Sequence, residues 1–149
     1  MLDLRTAASD RRVDPGWPRI EVRPCRWGGF VAIVELHGEH DLATREAVRV
    51  ALARLRGPVL VDLSACTFID SSVIRELVDA SLSAAAGHGR LELIMPPPGS
   101  RARRSLEILG VPGVIATREG QQTTRSVPTG ALPPRSAGRG EGEGSSVGP

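Results

Sequence analysis

The sequence predicts an α/β fold in which a mixed β-sheet is packed with helices in a single domain. Patterns typical of strands and of helices alternate through the middle of the chain, and this order gives a sheet with helices packed against it. A chain of 149 residues also has the usual size of one domain. The periodic apolar pattern lies between residues 19 and 118, so the folded domain is expected there.

Both ends of the chain are predicted to lie outside this domain. Residues 1–18 show no sustained hydrophobic period and contain two prolines, which indicates a flexible N-terminal segment. Residues 119–149 are dominated by glycine, proline, serine and arginine. Because such a segment has few apolar groups to bury, it cannot offset the entropy that ordering costs, and a disordered tail is expected.

The domain is predicted to open with a β-hairpin and a helix. Residues 19–24 (RIEVRP) alternate in polarity, and the apolar run from Phe30 to Leu36 follows a Gly28-Gly29 turn, so two paired strands are expected. Between residues 41 and 57 the apolar residues recur at helical spacing. Gly57-Pro58 then ends this helix.

Three more strands and two more helices are expected after this opening. Residues 58–65 (PVLVDLSA) form a short, continuously apolar run, which is typical of a central strand buried on both faces. The helix that follows has its apolar stripe at Val73, Ile74, Leu77, Val78 and Leu82. The remaining elements are a strand at residues 90–95, a helix capped by Ser100 with Ala102, Leu106 and Leu109 facing inward, and a strand at residues 113–117.

Composition excludes several functional classes. All 19 basic residues are arginine, and with 17 acidic residues the net charge is only +2, which argues against a direct nucleic-acid partner. The sequence shows no secretory signal and no run near the roughly 20 apolar residues that span a bilayer, so a cytoplasmic location without a membrane partner is expected. Cys25 and Cys66 have no second thiol or histidine at metal-ligand spacing, so free thiols and no metal site are expected.

An acid and two hydroxyls stand together where a strand-like run meets the second helix. In CTFIDSSVIREL (residues 66–77) they are Asp70, Ser71 and Ser72. Functional groups are favoured where strands end and helices begin, and the free amides and positive dipole end of a helix favour an anion. One hydroxyl is expected to cap the helix, which leaves the other available for a further role.

Three segments resemble, in order and spacing, the STAS domain of bacterial anti-sigma factor antagonists. They are VAIVELHGEHDLAT (residues 31–44), PVLVDLSACTFIDSSVIREL (residues 58–77) and GRLELIMPPPGSRARRSLEILGV (residues 89–111). The resemblance implies a STAS-like domain over residues 19–118. It also implies partner switching, in which the unmodified antagonist binds an anti-sigma factor with ATP-dependent serine kinase activity and phosphorylation ends that binding. A serine phosphatase would restore the unmodified form.

The resemblance assigns roles to particular residues. The phosphorylated serine of the family's D-S-S-G motif falls on Ser72, and the aspartate after the glycine of the second-strand motif falls on Asp41. The implied partner-binding residues are Glu39, Asp41, Asp70, Ser71, Ser72 and Val73. Val73 replaces the family's glycine, and residues 118–130 (REGQQTTRSVPTG) lack the apolar stripe of the family's last helix.

The same residues also allow simpler interpretations. Ser71 and Ser72 would serve only as a helix cap and its neighbour, and Asp41 would cap the first helix, in a STAS scaffold or ligand-sensing module that is never phosphorylated. Glu39 and His40 are expected on a solvated loop or strand end. An enzyme is not expected, because DSSV lacks the G-x-S-x-G elbow and the chain has no lysine for a G-x-x-x-x-G-K-[ST] loop. No catalytic residue and no cofactor is therefore predicted.

Overall fold

The computed structural model of this chain describes residues 16–120. Most of the predicted N-terminal segment, 1–18, and of the predicted tail, 119–149, lies outside the described residues. The helices and strands are β1 (Arg19–Pro24), β2 (Ala32–His40), α1 (Arg45–Ala53), β3 (Val59–Asp62), β4 (Cys66–Ile69), α2 (Ser71–Ala86), β5 (Leu91–Met95), α3 (Arg101–Ile108), the 3₁₀ turn Val111–Gly113 and β6 (Ala116–Glu119).

The six strands form one mixed sheet, which confirms the predicted α/β class. The strand order is β1-β2-β3-β5-β6, with β1 antiparallel to β2 and the other neighbours parallel. β4 lies off this path. Because β3 pairs with β2 only as far as Glu35, β4 takes the place beside the end of β2 from Gly38 onward.

One buried cluster holds the fold together. It combines alternate residues of the central strands, such as Val34, Val61 and Leu93, with inward residues of all three helices. Leu77 of α2 and Leu106 of α3 are fully buried in it. All three helices therefore pack on the same face of the sheet, and burial of this face supplies the main stabilising term.

Arginine side chains cover part of the other face of the sheet. Arg118 and Arg90 both form ion pairs with Glu92, whose neighbours in β5 point into the core. Their guanidinium groups lie 5.5 Å and 4.5 Å from the centroid of the Phe30 ring, which is only 2% exposed. Cation–π contacts and the aliphatic stems of arginine thus shield this aromatic ring from water.

The run expected to form a central strand, residues 58–65, contains β3, and a further strand that was not predicted follows it. β3 ends at Asp62, whose carboxylate accepts a hydrogen bond from the backbone amide of Ser64 at 2.8 Å and turns the chain. β4 then follows as a separate strand of four residues. Asp70 therefore follows β4 and not the predicted central strand.

Other predicted boundaries and orientations were also wrong. β2 continues to His40 instead of ending at Leu36, because Gly38 adopts a positive φ of 76° within an irregular pairing and does not end the strand. Leu82 and Leu109 are 61% and 52% exposed instead of facing the core. Leu82 lies four residues beyond Val78, which is already at the border of the buried face, and Leu109 lies just after the end of α3.

Candidate functional site

Asp70 is the N-cap of α2. Its backbone is extended (φ −98°, ψ 173°), and its carboxylate oxygen Oδ1 accepts hydrogen bonds from the backbone amides of Ser72 at 2.9 Å and Val73 at 3.1 Å. The sequence-based expectation that a serine hydroxyl caps this helix was therefore wrong. An extended residue with a short acidic side chain fits this position well, because the carboxylate also faces the positive end of the helix.

The pKa of the Asp70 carboxyl lies below its ordinary value. Partial burial is the largest influence and acts to raise the pKa. Hydrogen bonds from the Ser72 hydroxyl and from the backbone amides of Val73, Ser72 and Leu42 outweigh it. The carboxylate is therefore ionised at neutral pH, and it accepts three hydrogen bonds from the first turn of α2.

The two serines of the junction have different environments. Ser72 is half-buried, and its hydroxyl donates a hydrogen bond to Asp70 Oδ1 at 2.6 Å. Ser71, the first residue of α2, is exposed, and its hydroxyl makes no hydrogen bond within residues 16–120. One hydroxyl is thus part of the cap, and the other faces solvent.

Val73 belongs to the interior of the protein. Its side chain is fully buried in the core cluster, although its backbone amide takes part in the cap. The valine at the family's glycine position therefore adds apolar contacts to the core and contributes no side-chain surface beside the serines.

Asp41 lies on the loop between β2 and α1 and shapes that loop. Its carboxylate accepts a hydrogen bond from the amide of Ala43 at 2.9 Å, and its carbonyl accepts the amides of Thr44 and Arg45, each at 3.0 Å. The N-cap of α1 is Thr44, so Asp41 forms a turn ahead of the helix and is not its cap residue. Its side chain is exposed and available to a partner.

His40 lies beneath this loop. The ring is fully buried, with Nε2 at 3.0 Å from the carbonyl oxygen of His37 and Nδ1 at 3.3 Å from the hydroxyl of Thr44. Burial lowers the pKa of His40, so the ring is neutral at pH 7. The expectation of a solvated position was wrong for His40, whereas Glu39, the preceding residue of β2, is exposed.

The loop after β2 and the start of α2 meet at the same edge of the sheet. The backbone amide of Asp70 donates to the carbonyl of His40 at 3.1 Å, which continues the pairing of β2 with β4. Arg45, the first residue of α1, also contacts α2 through a 2.6 Å ion pair with Glu76. The structure thus brings Asp41 close to Asp70 and the two serines.

Two surface groups at this edge were not singled out from the sequence. Leu42 is 68% exposed in the middle of the Asp41 turn. Phe68 of β4 pairs with Glu39 of β2 and is half-buried, and the Arg101 guanidinium lies 5.1 Å from its ring centroid. An isolated apolar residue in a polar segment gave no periodic signal, so only its exposure in the fold identifies it.

Glu21, Glu35 and His37 bring potential metal ligands within 4.8 Å of one another on the arginine-covered face of the sheet. Arg19 forms an ion pair with Glu21 at 2.9 Å, and Arg23 forms one with Glu35. Guanidinium groups thus already neutralise both carboxylates. Within residues 16–120, no helix is long and apolar enough to cross a membrane.

Comparison with known families identifies the fold. The sequence model of the family described as "Mlab, STAS domain" matches residues 26–116, which is more than half of the chain. This chain belongs to the STAS domain family. The matched residues run from the β1–β2 connection to the first residue of β6 and include the whole Asp41–Asp70 edge of this STAS domain.

Two solved structures have folds similar to this STAS domain. An anti-sigma factor antagonist from Mycobacterium paratuberculosis is 20% identical, with a TM-score of 0.57 and coverage of 72% of this chain and 90% of that chain. The anti-sigma factor antagonist SpoIIAA in its unphosphorylated form is 17% identical, with a TM-score of 0.54 and coverage of 68% and 89%. No curated protein matches this sequence. At these identities the likeness establishes a shared fold.

Proposed function

We propose that this STAS domain is an anti-sigma factor antagonist that binds an anti-sigma factor with ATP-dependent serine kinase activity. Membership of the family supports this proposal, as does the shared fold with two proteins described as anti-sigma factor antagonists. The observation that carries it is the hydroxyl-bearing first turn of α2, placed at an exposed edge beside the Asp41 loop. This edge offers a kinase both a surface to bind and a group to modify.

The proposed partner surface is acidic with an apolar centre. Glu39, Asp41 and Leu42 are exposed, and the Asp70 carboxylate at the start of α2 is ionised. A complementary partner would present basic residues around an apolar depression. Opposite charges would speed association, and burial of the Leu42 side chain would slow dissociation.

Phosphorylation of the junction would regulate this binding. In the reaction a serine Oγ bonds to the γ-phosphorus of ATP, the bond from that phosphorus to the bridging oxygen of ADP breaks, and the hydroxyl proton passes to a base of the kinase. The family motif points to Ser72 as the acceptor. Exposure favours Ser71, because the Ser72 hydroxyl is half-buried and already bonded to Asp70. We therefore include both hydroxyls as candidate acceptors.

The added phosphate would weaken partner binding while the domain stays folded. It brings about −1.5 to −2 charges to an edge that already carries ionised carboxylates. The free amides and dipole of α2 can hold this anion, so the fold is retained. A partner that had bound a neutral hydroxyl would instead meet a bulky dianion, which the acidic edge does not neutralise.

The test is incubation of the full chain with its cognate anti-sigma factor kinase and ATP, followed by intact-mass measurement and site mapping. We expect one added phosphate. One of the two variants, Ser72→Ala or Ser71→Ala, should fail to acquire it, and both variants should still bind the kinase. A serine phosphatase should remove the phosphate. Phosphate on a residue outside the junction, or kinase binding that the phosphate does not change, would contradict the proposal.

A STAS scaffold or ligand-sensing module that binds its partner without phosphorylation is the second candidate function. One observation favours it: the Ser72 hydroxyl is already engaged with Asp70 as part of the helix cap. Stable complex formation with no added mass after incubation with ATP would select this alternative. In either case the domain acts through binding and not through catalysis of its own.

A further inference from the structure

Three potential metal ligands meet on the face of the sheet opposite the helices. Glu21 in β1 is paired directly with Glu35 in β2, and His37 follows two residues later on the same face of β2. One ligand atom from each of the three side chains lies within 4.8 Å of the other two. All three side chains are half-buried and stand on paired strands, so the backbone fixes their spacing.

We propose that Glu21, Glu35 and His37 bind a divalent transition-metal ion, with Zn²⁺ as the probe, and that this ion joins the edge strand β1 to β2. One imidazole and two carboxylates are ligands that zinc accepts, and they leave a fourth position for water. The expectation of no metal site rested on the spacing of the cysteines. This cluster instead arises from the pairing of two strands, which no local spacing shows. Metal binding here needs neither phosphorylation nor the proposed partner.

The distance between two of these side chains suits zinc better than it suits a hydrogen bond. Nε2 of His37 lies 3.4 Å from Oε2 of Glu35, which is longer than the usual N–H···O distance of about 2.7–3.2 Å. Two ligand atoms of a tetrahedral zinc ion stand about 3.4 Å apart, because each bond is about 2.1 Å long. The Glu21 side chain is 40% exposed, so a small rotation can bring its carboxylate to the same separation.

The arginines that neutralise the two carboxylates still leave room for a metal ion. Arg23 contacts Oε1 of Glu35, whereas Oε2 is the oxygen that faces His37. Arg19 contacts Oε1 of Glu21 at 2.9 Å. Both arginine side chains are exposed, so these ion pairs stabilise the fold little and can shift at small cost. Carboxylates that bind a metal are themselves hydrogen-bonded to further groups, and the arginines would take that role.

The charges around the cluster favour a bound cation. Acids directly opposite each other on two strands repel, as Glu21 and Glu35 do. Asp62 stands beside Glu35 in the register of β3, so three acids lie side by side on three adjacent strands. Because only Arg19 and Arg23 pair with Glu21 and Glu35, the cluster keeps a net negative charge. A divalent ion between the two glutamates would therefore relieve their repulsion.

The test is calorimetric titration of the chelator-treated full chain with ZnCl₂, together with a Co²⁺ titration in which visible absorption reports the coordination. We expect one ion per chain. Glu21→Gln and His37→Asn should each weaken binding at least about tenfold, because loss of even an outer-shell partner costs about 10–100-fold in affinity. His88→Asn is the matched control, because His88 is exposed in a turn at φ 61°, a conformation that asparagine also adopts. It should leave the affinity unchanged.

Urea unfolding with and without saturating Zn²⁺ is the second measurement. The midpoint should rise with metal in the unaltered chain but not in Glu21→Gln, because an ion that binds only the folded arrangement stabilises it. Absence of saturable binding, or the same affinity in Glu21→Gln, His37→Asn and the unaltered chain, would overturn the proposal. Binding that is lost in Cys25→Ser instead would place the ion on the thiol and would also overturn it. If His37→Asn does not fold, Glu21→Gln on the edge strand decides the question.

Discussion

The Asp70→Ala variant tests the central contact of this site. The substitution removes the N-cap acceptor of α2, which binds the backbone amides of Ser72 and Val73 and the hydroxyl of Ser72. Loss of a capping side chain costs about 0.5–2 kcal/mol, and here the Ser72 hydroxyl loses its acceptor as well. We expect the free energy of unfolding to fall by about 2 kcal/mol, at the upper end of that range.

The effect should depend on pH in a defined direction. The folded-state pKa of Asp70 is lowered, so its stabilising contribution is present above the unfolded-state value of about 3.9 and is lost as the pH falls through the folded-state value. The stability difference between the unaltered chain and Asp70→Ala should thus be complete near pH 6 and shrink on acidification below about pH 4. Asp70→Asn should cost less than about 1 kcal/mol, because asparagine caps almost as well.

Urea unfolding followed by circular dichroism at several pH values measures these differences, provided the slope with denaturant is unchanged. Asp79→Ala is the matched control, because Asp79 lies on the same helix, is exposed and makes no side-chain hydrogen bond within residues 16–120. If Asp70→Ala is no more destabilising than Asp79→Ala, or if its effect is the same at pH 3 as at pH 6 (roughly one unit below and two above the reference pKa), the proposed cap energetics are wrong.

Three further predictions concern other positions. Asp41→Ala should weaken binding to the kinase in titration calorimetry yet lower the free energy of unfolding by no more than about 1 kcal/mol, because it loses one turn hydrogen bond. Gly38→Ala should destabilise the domain by about 1–3 kcal/mol in urea unfolding, because φ is 76° and a Cβ would overlap the Trp17 backbone. Burial raises the pKa of Cys66 to about 12, so a thiol reagent at pH 8 (about the ordinary thiol pKa) should label Cys25 in the folded chain and Cys66 only after unfolding.

The fold class could be predicted because long apolar periods determine it. The stripe through Ile74 and Leu77 and the alternation in β2 are set by side-chain burial, which is encoded locally. β4 could not be predicted in the same way, because it has only four residues and pairs with the end of one neighbouring strand. The paired residues are 28 or 29 positions apart in sequence, and no local pattern specifies such a pairing.

The position of His40 was also beyond a sequence pattern. A glycine two residues earlier and acids on both sides gave the segment the composition of a loop. In the structure, Gly38 uses its positive φ to keep β2 in the sheet where β4 joins it, and this carries His40 into the interior. The polar ring is tolerated there because the His37 carbonyl and the Thr44 hydroxyl satisfy both nitrogens.

The junction needs an acid and two hydroxyls because the three side chains have different tasks. A carboxylate oxygen that accepts two helix amides can accept a further donor, and the Ser72 hydroxyl supplies it, which holds Asp70 Oδ1 against α2. If Ser72 were the only serine of the turn, its hydroxyl would be occupied and no hydroxyl of the turn would remain free. Ser71, the first residue of α2, is exposed at the positive end of the helix, where an added phosphate costs the fold little. Modification of Ser71 would alter the surface charge alone, whereas modification of Ser72 would also remove the donor that anchors the cap.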